Sequence, residues 1–161
     1  MNIEVLKQKA KAKQKENKQF LDYLKKKKPA KLDTELLNIH NEVFSQTDCL
    51  SCANCCITTG PLLLEKDIES ISKHLRIKPI DFINKYLRKD EDADWVFKTI
   101  PCPFLAADNY CTIYDVRPKA CRQYPHTNRR KFYQINHLTI KNIEICPAAF
   151  EIVEKLKEKL R

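Results

Sequence analysis

Apolar residues recur at helical spacing through the first 28 residues, with polar interruptions at Lys13 and Asn17. The apolar positions are Ile3, Leu6, Ala10, Phe20, Leu21 and Leu24. This period predicts one long, weakly amphipathic helix, which the lysine run before Pro29 ends because proline cannot continue a helix. We expect the C-terminal half of this helix to pack on the rest of the chain through its apolar face.

Apolar periodicity predicts further helices and a few strands in the remainder of the chain. The expected helices run from about residue 33 to 44, from 66 to 75, from 79 to 87 and from 147 to the C-terminus. Alternating residues predict a strand at 95–100, and two more short strands are expected within 130–145. The pattern therefore predicts a small single α+β domain, mostly helical, with a short antiparallel sheet.

Composition excludes several classes of protein. The 161 residues include one glycine, Gly60, whereas phosphate-binding loops and nucleophile elbows need several. The apolar runs are far shorter than the roughly 18 residues that span a bilayer, so no membrane partner is expected. The lysine-rich N-terminus lacks the apolar core of a secretory signal, and we therefore expect a cytoplasmic protein.

Positive charge is concentrated at the N-terminus. Residues 1–32 hold 11 lysines and three acidic residues, and the whole chain has a formal net charge of +9. We therefore divide the chain into a basic N-terminal helix or arm, 1–32, and a cysteine-cluster metal-binding domain, 33–161. The basic segment fits either a solvated helix or an arm for an acidic partner or nucleic acid, and phosphate binding would make its affinity strongly salt-dependent.

Eight cysteines supply the candidate chemistry of the chain. They are Cys49, Cys52, Cys55, Cys56, Cys102, Cys111, Cys121 and Cys146. A disulfide scaffold is disfavoured because the chain has apolar helices and no export signal. The two-residue spacers from Cys49 to Cys55 let successive sulfurs converge, as in zinc knuckles and ferredoxin-type clusters. Adjacent Cys55 and Cys56 are expected to diverge, so the sequence leaves open which of them is a ligand.

The second half of the chain supplies the remaining candidate ligands. Cys102 stands between two prolines, and Cys121 follows a predicted short helix at residues 117–120. Cys146 is expected at the N-cap of the last helix, where amide groups and the helix dipole favour a thiolate. Four thiolates around a metal leave net negative charge, so we expect Arg117 and Arg122 to stabilise the bound cofactor.

Two smaller patterns allow alternative interpretations. His126 is either a hydrogen-bonded surface histidine or a group near the metal. Cations and aromatics alternate at residues 129–133, as in proteins that bind single strands, but an exposed hairpin edge with cationic side chains gives the same pattern.

Four ordered motifs resemble those of the YkgJ-type cysteine-cluster family, the CxxCxxCC zinc- or iron-chelating domain. They are Cys49-x2-Cys52-x2-Cys55-Cys56, Cys102-Pro103-Phe104-Leu105, Cys111-x-Ile113-Tyr114-x2-Arg117-Pro118-x2-Cys121-Arg122-x-Tyr124-Pro125 and Cys146-Pro147. The resemblance implies a small α+β metal-binding protein, and a related cysteine motif occurs in flagellin lysine methylases. The chain departs from the family pattern at Ala53-Asn54, where many members have a glycine before the third cysteine.

The sequence therefore predicts a metal-binding protein whose fold is built around its cysteines. The bound group is an iron–sulfur cluster, with [4Fe-4S] favoured, or Zn²⁺, since thiolates suit both. The expected role is electron transfer, metal handling or protein maturation together with an unidentified protein partner. The alternatives are a metal-dependent enzyme that modifies a protein or peptide and a zinc-stabilised nucleic-acid-binding module; no catalytic residue is assigned.

Overall fold

The computed structural model describes residues 1–161, and the internal contacts divide them into two compact units. Unit 1 comprises Met1–Asp48 and Pro125–Arg161, and unit 2 comprises Cys49–Tyr124. The protein is mostly helical with one three-stranded antiparallel sheet, which confirms the predicted α+β class. None of the helices combines the length and the apolar character needed to cross a membrane.

The chain forms ten α-helices, three strands and two 3₁₀ helices. The α-helices are α1 (Ile3–Ala12), α2 (Gln14–Lys27), α3 (Leu32–Phe44), α4 (Cys49–Cys52), α5 (Asn54–Thr58), α6 (Glu65–Leu75), α7 (Pro79–Tyr86), α8 (Lys119–Gln123), α9 (Asn136–Asn142) and α10 (Pro147–Leu160). The strands are β1 (Leu62–Leu63), β2 (Leu87–Lys89) and β3 (Trp95–Phe97), and the 3₁₀ helices are Tyr114–Val116 and Phe132–Ile135.

The basic N-terminal segment is part of unit 1. The predicted single long helix is wrong, because the backbone at Lys13 leaves the helical region (φ −99°, ψ 7°) and separates α1 from α2. The apolar face nevertheless packs as expected, and its members are nearly inaccessible to solvent: Leu6, Ala10, Phe20, Leu21 and Leu24. Because this face is buried, the lysines of both helices lie on the outer side. The separate role of residues 1–32 as an arm stays a prediction.

The C-terminal part of unit 1 is helical throughout. Helix α10 begins at Pro147, as predicted, and packs along α3. The two strands expected within 130–145 are wrong, since this segment forms the second 3₁₀ helix and α9. Its buried residues Phe132, Ile135 and Thr139 follow i, i+3, i+7 spacing, which belongs to a helical face rather than to a strand.

Unit 2 contains the sheet, in the order β1-β3-β2. Leu62 pairs with Val96 across one edge of β3, and Leu87 pairs with Phe97 across the other. Helices α6 and α7 and the sheet share an apolar core that includes Phe82 and Phe104, whose ring centroids lie 6.3 Å apart. Strand β2 was not predicted, because its first residue extends the apolar pattern of α7.

Candidate metal centre

The Cys49–Cys56 segment forms two single helical turns, α4 and α5, joined at Ala53. Ala53 has φ 52°, in the left-handed region that favours glycine, and its side chain is buried. Its amide donates to the Cys49 carbonyl oxygen at 3.1 Å, and its own carbonyl accepts from the Ile57 amide at 3.1 Å. Many family members have a glycine before the third cysteine, where this chain has Ala53-Asn54. Ala53 therefore adopts a left-handed backbone conformation that glycine would adopt without strain.

Cys55 and Cys56 lie within hydrogen-bond reach of each other. Their side-chain hydrogen bond lowers the pKa of the Cys56 thiol to about 7, although burial opposes the shift. Neighbours on a helical turn are about 100° apart around the axis, and the expectation that one of the two does not reach the same ion as the other stays a prediction. Both thiols are partly buried.

A short hairpin brings Cys102 and Cys111 towards each other. The Cys102 amide donates to the Cys56 carbonyl oxygen at 2.8 Å, which fixes the hairpin to α5. Leu105 and Cys111 form an isolated antiparallel bridge. At the tip, the Ala106 amide donates to the Tyr110 carbonyl oxygen at 2.9 Å. Backbone bonds therefore place residues from three distant positions in the sequence at one region of unit 2.

Helix α8 carries Cys121, and Asp67 holds the start of that helix. The Asp67 carboxylate accepts hydrogen bonds from the Lys119 amide at 3.1 Å and from the Leu64 amide at 2.8 Å. Its side chain is 5% exposed, so these amides take the place of water. The short helix was predicted at residues 117–120 but begins two residues later. Sequence analysis missed Asp67, because its contact with α8 spans 52 residues.

Cys56 acts electrostatically on three other thiols of unit 2. Burial, reinforced by neighbouring thiols, raises the pKa of Cys102 to about 11 and that of Cys121 to about 12. Burial also raises the pKa of Cys111, and Cys56 adds to the shift at each of these three residues. We call these residues the four-thiol cluster: Cys56, Cys102, Cys111 and Cys121. Every member is only partly buried.

Arg117 places a positive charge near this cluster. Its guanidinium lowers the pKa of Cys111 and Cys121, although burial outweighs it at both thiols. Arg117 Nη1 donates a 2.7 Å hydrogen bond to the Tyr114 carbonyl oxygen. The guanidinium carbon of Arg117 lies 3.9 Å from the centroid of the Tyr114 ring. Exposed Arg122 donates to the Arg117 carbonyl oxygen at 2.7 Å. Arg117 therefore acts on the thiols through its charge, whereas Arg122 holds the backbone of Arg117.

The remaining candidate residues are Cys49, Cys52 and Cys55 of unit 2 and Cys146 and His126 of unit 1. Cys49 and Cys52 are at the two ends of α4, and Cys49 is exposed. In unit 1, Cys146 occupies the predicted N-cap of α10 and its sulfur accepts from the Ala149 amide at 3.4 Å. His126 also belongs to unit 1, and burial lowers its pKa.

The metal ligands are not fixed by side-chain geometry alone. None of the cysteines is in a disulfide bond. No group of three or more His, Cys, Asp or Glu side chains is already arranged around one point to hold an ion. The ligand roles of all eight cysteines therefore stay predictions.

Comparison with known proteins identifies the family. A family model described as "CxxCxxCC: Putative zinc- or iron-chelating domain" matches residues 48–145. No solved structure matches the chain. The matched segment contains seven of the eight cysteines and confirms the family that the motifs resemble. The chain belongs to the CxxCxxCC family of zinc- or iron-chelating domains.

Proposed function

We propose that the four-thiol cluster holds a thiolate-bound metal centre, an iron–sulfur cluster or Zn²⁺. The observation that carries the proposal is the backbone geometry that brings separate segments of unit 2 together: the Cys102 amide donates to the Cys56 carbonyl oxygen at 2.8 Å, and Cys111 pairs with Leu105 across the hairpin. In keeping with this, the charge of Cys56 raises the pKa of Cys102, Cys111 and Cys121. Such influence requires proximity, because the interaction between two charges falls with distance. Four cysteine thiolates are the ligand set of both structural zinc sites and cubane clusters, and metal binding would draw these four together.

The donor chemistry of the cluster fits such a metal. Cys102 and Cys121 resist ionisation in the metal-free protein, because burial and nearby thiols make additional negative charge unfavourable. A bound cation would reverse this preference and keep the sulfurs deprotonated, so binding would release protons. The Arg117 guanidinium would balance part of the negative charge that remains on four thiolates.

The iron–sulfur cluster is the favoured occupant. The two-residue spacers from Cys49 to Cys55 match the start of a ferredoxin-type motif and favour iron–sulfur binding by this chain, although these three cysteines are not members of the four-thiol cluster. When bound, an iron–sulfur cluster supplies one-electron redox chemistry. The ligand roles of the remaining cysteines, Cys49, Cys52, Cys55 and Cys146, stay predictions.

Partial exposure of the thiols favours an exchange role over a purely structural one. No side chain of the cluster is fully buried, so a metal held there would lie within reach of another protein. The apolar core behind the hairpin, which packs against Cys102 and Cys111, would keep water from the inner side. We therefore infer a role in electron transfer, metal handling or maturation of a partner protein.

Elemental analysis and an optical spectrum of one anaerobically purified sample test the proposal. Iron with acid-labile sulfide and broad visible absorption would establish the iron–sulfur form. A colourless protein with stoichiometric zinc would support the four-thiol site with the other metal. A protein that contains neither metal, and binds neither after anaerobic reconstitution with iron and sulfide or with zinc, would contradict the proposal.

A further inference from the structure

The fold of unit 1 brings together two basic segments that are about 100 residues apart in the sequence. One segment is the end of α2 with the residues that follow it, and the other precedes the second 3₁₀ helix. Lys28 Nζ lies 5.6 Å from the centroid of the Tyr133 ring. The Asp33 carboxylate accepts a 3.0 Å hydrogen bond from the Lys131 amide. We call the combined region the basic surface: Lys25, Lys26, Lys27, Lys28, Lys31, Arg129, Arg130 and Lys131.

The cations of the basic surface are all exposed. Asp33 is the acidic group in contact with them, 3.8 Å from Arg130 Nε. Near the other end of α2, by contrast, basic side chains are paired with carboxylates. Lys157 lies 3.4 Å from Glu16, which also contacts Arg161 at 2.9 Å.

Gathering like charges at one surface destabilises the folded chain by self-repulsion. A bound polyanion would relieve that repulsion and release its own counterions. Glu16 contacts both Lys157 and Arg161, whereas at the basic surface the one ion pair joins Asp33 to Arg130, which leaves most of the eight cations there without a paired carboxylate.

We propose that the basic surface binds single-stranded nucleic acid. Phosphates spaced along a strand match a surface that carries cations from two chain segments. Aromatic side chains lie among the cations, as in proteins on which bases stack. Tyr23, 40% exposed, is three and four residues before Lys26 and Lys27 on α2, and the partly buried Tyr133 packs on the core with Lys28 beside its ring. These rings favour a nucleic acid over an acidic polypeptide, which has no bases to stack. The inference is independent of the metal centre, since all these residues lie in unit 1.

Fluorescence anisotropy with a labelled single-stranded oligouridine tests this inference on the full-length, metal-replete protein. The variant Lys26→Gln/Lys27→Gln/Lys31→Gln removes three exposed charges of the basic surface. We expect affinity at low salt to fall at least tenfold, and the slope of log K against log salt to become shallower by about 2, since each phosphate contact contributes about 0.7.

A matched control removes the same charge elsewhere. Lys66→Gln/Lys73→Gln/Lys78→Gln changes three exposed lysines of unit 2 and should alter the affinity less than twofold. Equal losses in both triple variants would overturn the proposal, since only net charge would then matter. Unlabelled polyglutamate that displaces the oligonucleotide as well as oligouridine does would also overturn it, in favour of an acidic polypeptide.

Discussion

Replacing Asp67 by alanine should destabilise unit 2 and weaken metal binding together. The carboxylate of Asp67 joins the start of α6, through the Leu64 amide, to the start of α8, through the Lys119 amide. Helix α8 carries Cys121 two residues after Lys119. Alanine would leave both amides without this acceptor and would free α8 to move relative to α6.

The magnitude follows from the two hydrogen bonds. A bond to a charged group contributes about 1.5–3 kcal/mol to stability, and the Asp67 carboxylate makes two of them at a site that is 5% exposed. Because water can reach part of a helix N-terminus after the change, we expect Asp67→Ala to lower the free energy of unfolding by about 3 kcal/mol. Asp67→Asn retains one carbonyl oxygen and should lose about half as much.

Urea unfolding followed by the fluorescence of Trp95, the one tryptophan and a residue of unit 2, measures this change. Metal affinity, measured by competition with a chelator, should fall about 10- to 100-fold, as for other groups that orient a ligand. The control is Glu69→Ala, on the exposed side of the same helix, which should change both quantities little. If Asp67→Ala matches Glu69→Ala in stability and metal affinity, the structural role given to Asp67 is wrong.

Two further predictions concern pH and charge. Burial lowers the pKa of His40 and His126, so the unfolded chain binds more protons below pH about 6.5, and unit 1 should lose stability between pH 7.5 and 5.5. In urea unfolding at the two pH values, His40→Gln should reduce the loss of stability on acidification. An unchanged loss would refute the contribution of His40 to the pH dependence. Arg117→Gln should weaken metal binding by chelator competition more than Arg122→Gln, because the Arg117 charge acts on Cys111 and Cys121. Arg117→Lys should restore part of the metal affinity, because it retains the positive charge. Equal losses of metal affinity in Arg117→Gln and Arg122→Gln would contradict the role given to the Arg117 charge.

The sequence predicts elements well where local signals agree with the final packing. Pro79 and Pro147 start helices because proline suits the first helical turn, and Cys146 caps α10 as expected. The segment from Phe132 to Ile145 was misread because its many β-branched and aromatic residues favour strands locally. Burial of Phe132 and Ile135 in unit 1 overrides that preference.

The cysteines could be recognised from the sequence, but their grouping could not. Spacing identifies the Cys49–Cys56 segment, because its candidate ligands are close together in the sequence. The association of Cys56 with Cys102 depends on a backbone hydrogen bond across 46 residues, and sequence spacing does not encode such contacts. Two other contacts are likewise distant in the sequence: the hydrogen bond from the Lys119 amide of α8 to Asp67, and the contact of Lys28 with Tyr133 at the basic surface.

The most direct test of the central claim is the metal content of single cysteine variants purified anaerobically in parallel. We predict that Cys56→Ser, Cys102→Ser, Cys111→Ser and Cys121→Ser each lose the metal of the four-thiol cluster and its spectroscopic signature. The control Ile57→Ala, at an exposed position of α5 next to Cys56, should retain both. Full metal occupancy in the four cluster variants, or loss of the same signature in Ile57→Ala, would contradict the assignment.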